Sequence, residues 1–120
     1  KDLKIVSSQS AEFDRAKGLT VMENILQANP DIKAVFCQND EMALGAIEAI
    51  SNIGKKNSIV VVGFDGTDGG VEAVKEGKMN ATVAQQPEMI GKLGIQAAFD
   101  YFAGKTVDAK IASPLKLIVK

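Results

Sequence analysis

The stretch at residues 59–67 has the sequence IVVVGFDGT, an apolar β-branched run that ends in a polar turn. A run of this kind, without alternating polar residues, is typical of a strand buried on both faces of a parallel sheet. Four other short apolar runs indicate strands in the same way. The sequence therefore predicts five strands, at residues 4–6, 34–37, 59–64, 81–84 and 115–119.

Segments with helical periodicity lie between these runs and predict four helices. The predicted helices occupy about residues 12–28, the segment from after Asn39-Asp40 to Gly54, and about residues 69–76 and 87–103. The apolar side of the second helix predicts a core stripe of Met42, Ala46, Ile47, Ile50 and Ile53. Right-handed connections then predict the fold class, an α/β flavodoxin-like three-layer αβα domain over residues 1–120, with a mostly parallel five-stranded sheet.

The composition limits the classes of partner. The chain has 120 residues, 46% of them hydrophobic, with 14 basic and 15 acidic side chains and a net charge of -1. This balance gives no excess of basic charge to hold a phosphate backbone, so the composition argues against nucleic acid as a partner. No apolar run approaches the length of a membrane span, and Lys1 in place of an initiator Met suggests a mature or excised chain.

The residue types present also limit the chemistry. The chain has no histidine and a single cysteine, Cys37, so the sequence predicts no catalytic residue, no metal site and no cofactor. Cys37 is expected to be a small buried apolar residue of its strand. The glycines of residues 63–70 match no nucleotide-binding motif, and residues 7–10 lack the acidic pair of a phosphoacceptor receiver domain.

Polar and aromatic side chains follow the predicted strands, at the edge where open α/β sheets bind ligands. The candidate ligand-binding residues are Phe13, Asn39, Phe64, Asp65 and Gln85. Amides and a carboxylate can pair with hydroxyl groups, while aromatic rings can pack on the C–H faces of a sugar ring. This combination favours a neutral polyhydroxylated ligand. Each residue also has a purely structural interpretation: Phe13 as core, Asn39 or Asp40 as a helix cap, and Asp65-Gly66 as a turn.

Two motifs carry a resemblance to a known family. QNDEMALGA at residues 38–46 and VVGFDGT at residues 61–67 resemble the carboxyl-terminal half of the ribose-binding proteins, sugar receptors of bacterial ABC uptake systems. AEFDRAKGL at 11–19, ATVAQQP at 81–87 and LKLIVK at 115–120 extend the similarity over essentially the whole chain. The resemblance implies binding of D-ribose or a similar aldose without reaction, delivery to ABC transporter membrane subunits, and a periplasmic or extracellular location.

The resemblance also assigns roles to the five candidates. It implies that Phe13 and Phe64 pack against the sugar ring and that Asn39, Asp65 and Gln85 bind its hydroxyl groups. Members of the family are roughly twice this length and have two lobes, so an N-terminal lobe is missing and residues 86–113 are expected to pack in it. The isolated half is expected to bind sugar weakly and could pair with a second copy.

Two other functions remain open. One is the effector-binding half of a sugar-responsive transcriptional repressor, which shares the fold and the Asn39-Asp40 motif. The other is a folded half-receptor with no measurable binding of its own. A DNA-binding segment in the parent protein would favour the first, and measurable sugar binding would exclude the second.

Overall fold

A computed structural model describes residues 3–55 and 58–120. The strands and helices alternate along the chain as the sequence predicts. In chain order they are α1 (Arg15–Ala28), β1 (Ala34–Phe36), α2 (Asp40–Asn52), β2 (Val60–Asp65), α3 (Asp68–Lys75), β3 (Ala81–Ala84), α4 (Pro87–Phe102) and β4 (Lys116–Val119). The α/β class is therefore confirmed.

The sheet is mostly parallel, as predicted. Its strand order is β1-β2-β3-β4, and β2 pairs in parallel with both β1 and β3. Phe36 of β1 lies opposite Val62 of β2, and Asp65 at the end of β2 lies opposite Ala84 at the end of β3. Because these three strands run in the same direction, their carboxyl ends lie along one edge.

The described residues form four strands, so the prediction of a fifth is wrong. The predicted strand at residues 4–6 is absent, since these residues have no strand structure and Ile5 is 83% exposed. A strand needs a neighbouring backbone to bond and a surface on which to bury its side chains. A short β-branched run supplies neither by itself.

The chain divides into two compact units, Lys1–Ala84 with Leu117–Lys120, and Gln85–Lys116. In the first unit, α1 packs on α2, α2 packs on β2 and α3, and α3 packs on β3. The core includes Met22, Leu26, Cys37, Ala46, Ile50, Val61, Val74 and Met79. Cys37 is buried, as predicted, whereas Ile53 is exposed, so the predicted core stripe of α2 extends one turn too far.

Glycine permits the close approach of α1 to α2. A Cβ atom at Gly45 of α2 would lie 2.1 Å from the backbone oxygen of Arg15, and one at Gly18 of α1 would lie 2.9 Å from the backbone oxygen of Met42. No side chain fits at either distance. This contact fixes the N-terminal end of α1 beside the N-terminal half of α2.

The second unit contains α4, the most apolar of the helices. None of the residues of α4, all of which the structure describes, is buried. Its exposed apolar side chains are Met89, Ile90, Ile95, Phe99, Tyr101 and Phe102. Helical periodicity identifies the apolar residues of α4, but it does not show whether another part of the protein covers them. Among the described residues, no helix is both long enough and apolar enough to cross a membrane.

Candidate functional site

The carboxyl ends of β1, β2 and β3 bring most of the predicted ligand-binding residues to one edge of the sheet. Asn39 follows β1 and begins α2, while Phe64 and Asp65 are the last two residues of β2. Gln85 is exposed and comes directly after Ala84 of β3, as the first residue of the second unit. Parallel strands thus place Asn39, Phe64 and Asp65 at the usual ligand-binding edge of an α/β sheet.

Asn39 is the N-cap of α2, so its structural interpretation is confirmed. Its Oδ1 accepts a hydrogen bond of 2.9 Å from the backbone N–H of Met42, and its Nδ2 donates one of 3.1 Å to the backbone oxygen of Phe13. The residue is 8% exposed. A side-chain amide has two N–H donors and two acceptor lone pairs, so these bonds leave one donor and one lone pair for a ligand.

Phe13 lies outside the core, and its core interpretation is wrong. Its side chain is 63% exposed, and α1 begins only at Arg15, with Asp14 as N-cap accepting a hydrogen bond of 2.8 Å from the N–H of Lys17. Glu12 and Phe13 have φ values of 52° and 59°, which turn the chain before the helix starts. The exposed ring therefore lies on the turn whose backbone oxygen accepts the bond from Asn39.

Phe64 and Asp65 are both half-buried, and Asp65 has a φ of 110°. The following Gly66 also has a positive φ, 70°, and a Cβ atom there would lie 2.3 Å from the Cβ of Ala84. A side chain at Asp65 is strained in this conformation, which costs about 1–3 kcal/mol. The positive φ therefore explains why residue 66 is a glycine, but it does not explain why residue 65 is an aspartate.

Backbone strain is concentrated at the predicted site. In the described parts of the chain, the non-glycine residues with positive φ are Glu12, Phe13 and Asp65. Two of these three are predicted ligand-binding residues. Strained residues persist where the surrounding structure holds them, and they cluster at ligand-binding sites. This distribution is independent of the motifs from which the candidates were chosen.

Asp40 is a buried part of the site that the sequence interpretation missed. It is 0% exposed, and its two carboxylate oxygens accept three hydrogen bonds. Oδ2 accepts from the N–H of Thr67 at 2.7 Å and from its hydroxyl at 3.0 Å, while Oδ1 accepts from the hydroxyl of Thr82 at 2.7 Å. Asp40 is therefore the first residue of α2 rather than its cap, and it joins α2 to β3 and to the turn after β2.

Two glycines make room for the Asp40 carboxylate. A Cβ atom at Gly63 would lie 2.3 Å from Oδ1, and one at Gly70 would lie 2.2 Å from Oδ2. Asp40 and Asn39 are adjacent in sequence and equally typical of a helix start, so the sequence signal for a helix start does not separate their roles. Gly63 and Gly70 indicate the special role of Asp40 only in the folded structure, where both lie against its carboxylate.

A separate groove of about 450 Å³ lies along α2 and α3. Its lining residues are Arg15, Leu44, Ile47, Glu48, Ser51, Gly69, Glu72, Ala73, Glu76 and Lys78, and they include none of the five predicted site residues. No group of three side chains suited to holding a metal ion occurs in the described parts of the chain.

Comparison with known proteins identifies the family. Residues 1–106 match the family model for the periplasmic binding protein domain. The chain belongs to this family. Ribose import binding protein RbsB of Bacillus subtilis is 59% identical over 115 residues, which are 96% of this chain and 37% of that protein. The D-allose-binding periplasmic protein of Escherichia coli is 44% identical over 117 residues, covering 97% of this chain and 38% of that protein.

Solved periplasmic binding proteins share the fold. An ABC transporter periplasmic solute binding protein from Actinobacillus succinogenes with bound D-allose matches with a TM-score of 0.87 at 35% identity, over 97% of this chain and 41% of that one. One from Bacillus halodurans with bound myo-inositol matches with a TM-score of 0.81 at 40% identity, over 97% of this chain and 40% of that one. The chain thus spans about two fifths of the length of the relatives it matches.

Proposed function

We propose that this chain is the carboxyl-terminal half of a sugar receptor of an ABC uptake system and that it binds D-ribose or a similar aldose. The observation that carries the proposal is the bond from the Asn39 side chain to the backbone oxygen of Phe13, which joins an exposed ring to an amide at the ligand-binding edge of the sheet. The names of the relatives, ribose import binding protein and D-allose-binding protein, support an aldose as ligand.

Each candidate has a distinct part in sugar binding. The rings of Phe13 and Phe64 pack on the C–H faces of the sugar, while the amides of Asn39 and Gln85 bind hydroxyl groups as donor and acceptor. The Asp65 carboxylate accepts from hydroxyl groups, and such a charge-assisted bond is worth about 1.5–3 kcal/mol. We therefore expect Asp65 to be the most sensitive single contact. Binding and release need no chemical step, so the proposed role is not enzymatic.

The second unit supports a larger receptor. None of the residues of α4, all of them within the described ranges, is buried, and Phe102 is 85% exposed. A helix that is apolar on several sides is normally covered by other parts of a protein. We propose that residues 86–113 pack in the missing N-terminal lobe and that the complete receptor lies in the periplasm or outside the cell, where it delivers sugar to ABC transporter membrane subunits. Without that lobe, the same surface could pair two copies of the chain.

Calorimetric titration of the chain with D-ribose tests the binding role, with sedimentation at the same concentration to report self-association. A monomer should bind with a dissociation constant in the millimolar range, which corresponds to a binding free energy of about 4 kcal/mol. The binding is weak because one lobe supplies only part of the contact. Asp65→Ala should weaken binding about tenfold or more, whereas Glu72→Ala, in the separate groove, should leave it unchanged. Equal binding by both variants would contradict the proposed site.

A chimera tests the proposed half-receptor directly. This chain would replace the matching segment of the Bacillus subtilis protein, to which it is 59% identical. The chimera should bind D-ribose more tightly than the isolated chain, because two lobes then enclose the sugar. A folded chimera that binds no ribose would contradict the proposal.

A further inference from the structure

The turn after β2 is held by a single buried carboxylate. We propose that Asp40 is a positioning residue, which keeps Asp65 in the strained conformation from which it binds a polyhydroxylated ligand. The inference rests on the proposed sugar-binding function for the ligand, whereas the mechanical role of Asp40 can be measured without it.

Asp40 acts on the residues that directly follow Asp65. The N–H of Thr67 donates to Oδ2 at 2.7 Å, so the second residue after Asp65 is bonded to the carboxylate itself. The hydroxyl of Thr82 donates to Oδ1 at 2.7 Å and accepts from the N–H of Gly66 at 3.3 Å. Gly66 is therefore connected to the same carboxylate through one side chain. Both backbone N–H groups after Asp65 are held by this network.

The carboxylate has little freedom to move. Asp40 and Thr82 are both 0% exposed, and the space at Gly63 and Gly70 is too small for any side chain besides that of Asp40. Asp40 lies in the first turn of α2, where the helix dipole favours a negative charge. A buried carboxylate with three donors is costly to rearrange, because each lost bond leaves a desolvated oxygen. Asp40 can therefore hold a neighbouring segment in an unfavourable conformation.

Asp65 has a φ of 110°, a strained conformation that persists only if neighbouring residues hold it in place. When the restraint is removed, the turn can relax toward an ordinary conformation and rotate the Asp65 side chain away from its binding position. A purely structural role for Asp40 predicts a loss of stability alone. A positioning role predicts, in addition, a loss of ligand affinity larger than that of an equally destabilised variant.

The test uses four variants of the chain: Thr82→Val, Thr82→Ser, Asp40→Asn and Ile50→Val. Thr82→Val removes the hydroxyl that links Gly66 to Asp40, while Thr82→Ser keeps it. Ile50→Val is the control, since Ile50 is a buried residue of α2 whose apolar side chain has no group to hydrogen-bond to the turn. Three quantities are measured for each: amide hydrogen exchange at Gly66 and Thr67, the urea midpoint, and the D-ribose dissociation constant by NMR titration.

Thr82→Val and Asp40→Asn should speed exchange at Gly66 or Thr67 and raise the ribose dissociation constant about tenfold or more relative to Ile50→Val. Thr82→Ser should keep the exchange rates at Gly66 and Thr67 and the ribose dissociation constant within about twofold of those of the unchanged chain. Affinities of Thr82→Val and Asp40→Asn that match that of Ile50→Val at equal stability would overturn the inference. If the unchanged chain gives no ribose signal, the proposed function fails in the isolated chain, and equal exchange in Thr82→Val and Thr82→Ser would still overturn the role of Asp40.

Discussion

The side-chain amide of Asn39 donates a hydrogen bond of 3.1 Å to the backbone oxygen of Phe13, across 26 positions of sequence. The same side chain caps α2 through the N–H of Met42. One residue therefore fixes the start of a helix and the position of an exposed aromatic turn. The cap and the ligand-binding roles of Asn39 are compatible, because the amide has bonding capacity for both.

Substitution of Asn39 by aspartate should separate its two roles. Asp can still accept from the N–H of Met42, but it cannot donate to the oxygen of Phe13. We expect Asn39→Asp to lower the free energy of unfolding by about 1–2 kcal/mol, through the lost bond, and to weaken ribose binding. Asn39→Ala, which also loses the cap, should cost about 1 kcal/mol more. Urea unfolding measures both, and an aspartate variant as stable as the unchanged chain would show that the Phe13 bond contributes nothing.

The strain at Asp65 should be visible in a pair of variants. Asp65→Gly and Asp65→Ala both remove the carboxylate, so any bond that it makes is lost equally. Only glycine adopts a φ of 110° without cost. The free energy of unfolding of the glycine variant should therefore be about 1–3 kcal/mol higher than that of the alanine variant. Both should lose ribose affinity. Equal stability of the two in urea would mean that the backbone at position 65 is not strained.

Neighbouring glycines of α3 should respond in opposite ways to alanine. A Cβ at Gly70 would lie 2.2 Å from Asp40 Oδ2, whereas the nearest atom to a Cβ at Gly69 is Cδ1 of Leu44, at 3.5 Å. Gly70→Ala should lower stability by about 2 kcal/mol or more, because it displaces a buried carboxylate. Gly69→Ala should be neutral or stabilising by up to about 1 kcal/mol, since alanine favours a helix. Similar thermal midpoints for the two would contradict the packing around Asp40.

Cys37 should make stability depend on alkaline pH. Burial raises the pKa of its thiol from 9.0 to about 11, so the folded chain keeps this proton at a pH where the unfolded chain loses it. The resulting stability is fully present below pH 9 and is lost as the pH rises to about 11, a change of up to about 3 kcal/mol. Unfolding in urea across this range, compared with Cys37→Ala, isolates the effect because other groups are common to both. Parallel pH profiles would show that the thiol is not buried.

Local signals in the sequence predict most of the elements. The bounds of β3 match the prediction, and α4 begins at Pro87 as its missing N–H suggests. The start of α1 is less well predicted, because the apolar periodicity includes Phe13 while the backbone at Glu12 and Phe13 turns away from a helix. Periodicity identifies apolar residues, but it does not show which of them lie before the first helical turn.

Contacts between distant residues could not be predicted from the sequence. Asp40 bonds to Thr67 and Thr82, which lie 27 and 42 positions further along the chain. No local pattern links these residues, and each has an ordinary interpretation on its own as a cap or a strand residue. The ligand-binding candidates could be selected because strand ends are readable in sequence, whereas the carboxylate that organises the turn between them depends on the tertiary fold.

The most direct test of the sugar-binding edge is an NMR titration of the chain with D-ribose, with the backbone amides assigned. We expect saturable chemical-shift changes at the backbone amides of Phe13, Asn39, Asp65, Gly66 and Gln85. The dissociation constant should lie in the millimolar range, which corresponds to a binding free energy of about 4 kcal/mol. Residues along the groove between α2 and α3, such as Glu48 and Glu72, should not shift. Saturable shifts confined to that groove, or no saturable shift at the strand ends of the folded chain, would contradict the account.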